Sequence, residues 1–301
     1  MTPTGFRSSI STRALQAPDP PNEVVGRVLN ALRAERVADA VGLIHQLPKD
    51  APLEQAWKDY LEARILIEQG DFVRAKTMAQ QAASTSLRLG LSDPENPPAL
   101  RLAAAALELE GAALRRQDQP VEASRIHLAA LAIRRDYGIP DEQGESAMSL
   151  GSCAEWAGDL AAAERWYRCA GNLHVAETDQ ARKKSSALIR LSSLLTKLSR
   201  HEEAIDAARS SQMLLHEYMP GELDTISAGL HTAQAMIRLA ENQFVEDADS
   251  AYALLLETTR LLQRTREDLS GFGPAADVDL AWCEEQLVFL GMLRQTILPA
   301  T

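Results

Sequence analysis

Four alanines in this chain sit at the centre of the same three-point pattern. Around Ala75, Ala123, Ala163 and Ala204, a second small residue lies twelve positions earlier (Ala63, Gly111, Gly151 and Ser192). A third lies seven positions later (Ala82, Ala130, Ala170 and Ser211). Small residues fix where two helices come together, because interhelical distance depends on the side chains at the contact. Residues seven apart share one helix face, two turns from each other. Ala163 and Ala170 therefore mark a close approach, and Tyr167 fills the gap between them. A chain that repeats this pattern four times is expected to fold as a row of helix hairpins.

The rest of the chain agrees. Aromatic residues are 5% of the total, no long stretch alternates apolar with polar, and apolar residues recur at helical spacing almost throughout. Short breaks punctuate them: EQGDF (68–72), RQDQP (116–120), WAGDL (156–160) and LSRHE (198–202). Degenerate copies flank the four strong ones, the first with Val37, Ala40 and Leu47, the last with Ala233, Phe244, Ala248 and Tyr252. The anchors Ala40, Ala75, Ala123, Ala163, Ala204 and Ala248 are separated by 35, 48, 40, 41 and 44 residues. The longer intervals require longer helices or loops, and LGLSDPENPPAL (89–100) and EYMPGEL (217–223) read as loops.

These residues resemble the tetratricopeptide repeat (TPR), a helix pair with a small residue in the first helix, Gly-Asp at the turn, and Ala, aromatic, Ala along the second. SLGSCAEWAGDLAAAERWYRCA supplies Gly151, Gly158, Asp159, Ala163, Tyr167 and Ala170. LEARILIEQGDFVRAKTMAQQA supplies Ala63, Gly70, Asp71, Phe72, Ala75 and Ala82. The copies around Ala123 and Ala204 depart further. His127 and Ala208 stand where the second-helix aromatic belongs, and Ser192 replaces the small Gly or Ala. The longer period is similar to that of bacterial peptide-sensing and signalling regulators and of kinesin light chains. The resemblance implies an all-α solenoid of about six hairpins over residues 22–268; the stretch over 1–21, biased to Ser, Thr and Arg, reads as a disordered tail. A turn and a helix over 269–301 close the solenoid. That helix, DVDLAWCEEQLVFLGMLRQTIL (277–298), is apolar around most of its girth, through Trp282, Leu287, Phe289, Leu290 and Leu293. It reads as the cap of the solenoid, with a docking or homodimer surface as the alternative.

Composition narrows the function without naming it. A net charge of −11 argues against nucleic-acid binding through the surface at large, and no apolar run approaches a membrane span. Three cysteines without CxxC spacing, Cys153, Cys169 and Cys283, read as reduced, buried thiols in a cytoplasmic compartment. Cys153, Cys169 and His174 could be imagined as metal ligands, but their spacing favours packing. No phosphate-binding, zinc-protease or nucleophile-elbow motif is present. The reading is a non-enzymatic chain without cofactor or metal.

The resemblance also implies a concave face lined by first helices. Carried over residue by residue, it presents Trp57, Tyr60, Arg64, Arg115, Arg116, Met148, Trp156, Arg190, Lys197 and Arg238, accompanied by Glu68, Glu108, Glu155 and His231. Arginine beside exposed aromatics is the composition of an interface hot spot, and arginine grips carboxylates in a bidentate fork. An acidic peptide or partner helix with an apolar anchor fits such a face. A small peptide that changes the solenoid's curvature is the alternative. Packing of Trp57 on the preceding hairpin competes with a groove role. The Lys/Asn carboxylate clamp of chaperone-binding TPR domains is not evident, because its asparagine positions hold other residues.

Overall fold

A computed structural model describes residues 20–47, 51–93, 97–137, 140–174, 178–244 and 247–297. The tail expected over 1–21 lies outside the described residues up to residue 19. All elements among the described residues are helical. In chain order they pair as α1 (Glu23–Arg33) with α2 (Val37–Ile44), α3 (Pro52–Glu68) with α4 (Phe72–Ser92), and α5 (Pro97–Arg116) with α6 (Pro120–Tyr137). Next come α7 (Pro140–Trp156) and α8 (Leu160–Leu173), joined by the turn at Gly158, then α9 (Thr178–Lys197) with α10 (His201–Tyr218), and α11 (Leu223–Gln243) with α12 (Ala248–Leu269). A 3-10 segment (Ser270–Ala276) leads into α13 (Asp277–Ile297). The chain divides into two compact units, residues 1–166 and 167–301, with the division inside α8.

Five hairpin turns are built alike. The residues five positions before Ala40, Ala75, Ala123, Ala163 and Ala204 all have positive φ: Glu35 57°, Gly70 80°, Asp118 60°, Gly158 80° and Ser199 58°. The left-handed residue turns the chain at the end of the first helix. The amide of the next residue then bonds the carbonyl five positions back, as in Arg36 to Ala31, Asp71 to Leu66, Gln119 to Leu114, Asp159 to Ala154 and Arg200 to Leu195, all at 2.9–3.1 Å. In two turns the following aspartate also opens the second helix, Asp71 accepting from the Arg74 amide and Asp159 from the Ala162 amide. This is the physical content of the Gly-Asp pair. Glycine ends one helix without strain and aspartate caps the next.

The small residues of the repeat pattern are buried. Ala63, Ala75, Ala82, Ala123, Ala130, Ala163, Ala170, Ala204 and Ser211 have no solvent exposure, nor does Tyr167, and Gly151 is buried. In the hairpin of α9 and α10 the Ser192 hydroxyl donates to the Ala204 carbonyl at 2.7 Å, and the hydroxyls of Ser185 and Ser211 meet at 2.7 Å. In the hairpin of α5 and α6, Gly111 faces the His127 ring. A Cβ at Gly111 would lie 2.5 Å from His127 Cε1, so the glycine makes room for the imidazole.

Three expectations are corrected. The stretch read as a loop over 89–100 is helical at both ends, through Ser92 and from Pro97, so the longest interval between anchors comes largely from longer helices. Ala248 is exposed, and Ala251, three residues later, is fully buried; extra residues at that turn shift the last copy's register. Cys169 is half-buried, whereas Cys153 and Cys283 are buried. Among the described residues no helix is long and apolar enough to cross a membrane.

Candidate functional site

First helices pack on first helices within each unit: α3 on α5, α5 on α7, α9 on α11 and α11 on α13. This inner layer is where the sequence places a binding face. The two units differ in how much of it remains open.

In the first unit the layer is closed by its own side chains. Trp57, Tyr60 and Arg64 retain 3%, 0% and 4% of their exposure, and Trp57 meets Tyr60 edge to face at 5.6 Å. These three, expected at the groove surface, belong to the core. The apolar mass of Trp57 and Tyr60 is better satisfied against neighbouring helices than in water. Met148 and Arg115 are half-buried. The residues left in solvent are at the turn end. Trp156 is 59% exposed, and its indole N–H donates to Asp118 at 2.7 Å. Arg116 is exposed, with its guanidinium 6.0 Å from the centre of the Phe72 ring.

Behind this layer lies an ionic cluster that sequence reading missed. Glu108 and Ser146 have no exposure, and His127, Arg134, Glu142 and Glu145 have almost none. Glu108 pairs with His127 Nδ1 at 2.9 Å and with Arg134 at 3.4 Å, and it accepts from the Ser146 hydroxyl at 2.6 Å. Arg134 donates to the Glu142 carbonyl and to Ser146, each at 2.9 Å, and lies 3.6 Å from Glu145. Arg101 donates through Nε to Glu142 at 2.9 Å. Formally, three carboxylates face two guanidiniums, and a protonated His127 balances them. Burial alone would push the His127 pKa down, but the Glu108 carboxylate outweighs it and lifts it to about 9. Burial likewise pushes Glu108 up, and His127, Arg134 and the Ser146 hydroxyl hold it down at about 2. The signal was in the sequence. Arg134 continues the buried stripe of Ala123, His127 and Ala130, and a cation on a buried face needs partners.

In the second unit the layer is more open. Arg190 and Arg238 are half-buried and Lys197 is exposed. Arg238 bonds Glu241 at 2.8 Å. His231, also on α11, is half-buried. Burial is the main force on its pKa, held down at about 4, with Arg190 pushing the same way and Asp279 opposing. It is therefore neutral at pH 7. Asp279, from α13, is held by the Ser227 hydroxyl. Arg190 and Asp279 thus act on His231, while Lys197 follows Arg190 by seven residues on α9 and Arg238 follows His231 by seven on α11. Arginine and lysine spaced along packed helices can receive carboxylates of an extended or helical partner. No group of three or more potential metal ligands occurs among the described residues.

No family model matches the sequence, and no curated protein matches it. Solved structures do. A Podosopora anserina kinesin light chain protein of nearly identical TPR-like repeats aligns with a TM-score of 0.56 at 13% identity, over 75% of this chain and all of that one. The apo form of RapI aligns at 0.54 and 12%, over 90% of this chain and 94% of that one. A Pyrococcus horikoshii signal-transduction ATPase with a tetratricopeptide repeat sensor aligns at 0.62 and 12%, over 91% of this chain and 44% of that one. At such identities the likeness shows the fold, and the fold of this chain is the TPR-type stack of helix hairpins.

Proposed function

We propose that the chain is a non-enzymatic interaction module that holds an acidic segment, a peptide or a partner helix, along the inner face of α9 and α11. What supports this is that Arg190 and Arg238 are half-buried and Lys197 is exposed, at positions that the repeat register assigns to the inner side of α9 and α11, in a chain with net charge −11. Cations gathered on one face of an otherwise acidic molecule steer a negatively charged partner to it. An apolar anchor on the partner would use the half-buried Trp282, on the neighbouring α13. The three cysteines are free thiols, which suits a reducing, cytoplasmic compartment.

Selection from a displayed random dodecamer library tests this reading. Enrichment of Asp and Glu around an apolar residue is expected. At least a tenfold loss of affinity should follow for the Arg190→Glu/Lys197→Glu variant, with an unchanged helical circular dichroism signal. Selected peptides without acidic bias, or binding unaffected by the charge reversal, would count against it. A sensing role is favoured by one likeness, since the Pyrococcus horikoshii protein carries its repeats as a sensor. If this chain senses, a selected peptide will change its small-angle scattering profile as well as its melting temperature. A scaffold will show the second change alone.

A further inference from the structure

The last helix carries an exposed seam that the inner face does not use. On α13, Cys283 and Leu290, seven residues apart, are fully buried, and the Cys283 thiol donates to the Leu262 carbonyl of α12 at 3.1 Å. The opposite face runs through Val278, Ala281, Glu285, Val288 and Met292, at alternating spacings of three and four. All five are exposed, with Val278 at 79%, Val288 at 64% and Met292 at 56%. That spacing is the a/d repeat by which one helix receives another. Four of the five are apolar, two on either side of Glu285, and exposed apolar side chains gathered on one helix face mark an interaction surface.

The charges say what kind of helix fits. Asp277 and Glu284 line one edge of the seam, and Glu285 sits within it. The helix has no lysine, and its arginine, Arg294, is turned to Tyr252 on α12, 5.7 Å from the ring centre. A second copy fits poorly. In parallel register it would set Glu285 against Glu285, and in antiparallel register it would set the Asp277 and Glu284 edges together. We infer that the outward face of α13 docks an amphipathic helix of another protein, apolar at a and d, with lysine or arginine along the edge that meets Asp277 and Glu284 and opposite Glu285.

The test uses the full chain and three designed 21-residue helical peptides. One has leucine at a and d and lysine at e and g. The second has glutamate in place of lysine. The third has the composition of the first, scrambled to break the seam. Fluorescence anisotropy at 150 mM salt reads binding. The lysine peptide should bind the wild type at least tenfold more tightly than either companion. It should lose at least tenfold with Val288→Asp/Met292→Asp and with Glu284→Lys/Glu285→Lys. The glutamate peptide should gain affinity for Glu284→Lys/Glu285→Lys, a gain that a misfolded variant cannot give. Equal binding of the lysine and scrambled peptides, equal binding by wild type and variants, or no binding would overturn the proposal. So would sedimentation as a wild-type dimer that Val288→Asp/Met292→Asp converts to monomer, because the seam would then belong to a second copy.

Discussion

Glu35, Asp118 and Ser199 do with a side chain what Gly70 and Gly158 do without one. All five hold the left-handed turn between paired helices, a conformation that costs an ordinary residue roughly 1 kcal/mol. Ser199→Gly and Glu35→Gly are therefore expected to stabilise the chain, by about 0.5–1 kcal/mol each in urea unfolding. Gly70→Ala and Gly158→Ala should destabilise by about 1 kcal/mol. Asp118 is a poorer test, since its carboxylate also holds Trp156. Gly111 acts through space rather than φ. Adding one methyl there drives it into the His127 ring, which is fully buried and tied to Glu108. Gly111→Ala should cost about 1–3 kcal/mol. Unchanged stability would mean that the ring can move aside, and that the ion pair does not hold it.

At the scale of elements, α5, α6 and α7 are joined by charge as well as by packing. Each supplies members of the Glu108, His127, Arg134 and Ser146 cluster. Removing one partner leaves buried charge uncompensated, so Arg134→Ala should destabilise by about 3–5 kcal/mol. Glu108→Gln removes what lifts the His127 pKa, and the imidazole resonances in NMR should then titrate well below 9. A value still near 9 would assign the shift to another neighbour. These elements also show how far a sequence can be read. The hairpins and their turns were legible, because small residues at fixed offsets and helix stops are local signals. The closure of the inner layer was not. Whether Trp57, Tyr60 and Arg64 face water depends on how tightly α3 packs on α5, and repeat position alone does not encode that. Arg190, Lys197 and Arg238 kept some exposure, although the same rule placed them. The register slip at Ala248 comes from inserted turn residues, which shift a periodic pattern without erasing it.

At the scale of the whole molecule, the two units carry opposite pH dependences. In the first, His127 is lifted from 6.5 to about 9. A raised folded-state pKa gives stability that is complete below pH 6.5 and is lost as pH rises through 9. Glu108, lowered from 4.5 to about 2, gives stability that is complete above pH 4.5 and is lost as pH falls through 2. Both contributions are therefore complete between pH 4.5 and 6.5. In the second unit the signs reverse. His231 is held down at about 4, chiefly by burial, and burial also lowers His201. A histidine buried neutral favours folding fully above pH 6.5, and that advantage fades as pH falls toward 4. Cys283, pushed up to about 11 by burial, weakens the second unit only above pH 9, so pH 8.5 is a safe upper limit. Hydrogen exchange at pH 5 and pH 8.5, corrected for intrinsic rates, separates these effects. Amides of α5–α7 should be better protected at pH 5, and those of α9–α12 at pH 8.5. His127→Phe should abolish the first difference and leave the second. A parallel change in both units would show instead that net charge governs stability, through a field that every helix feels alike.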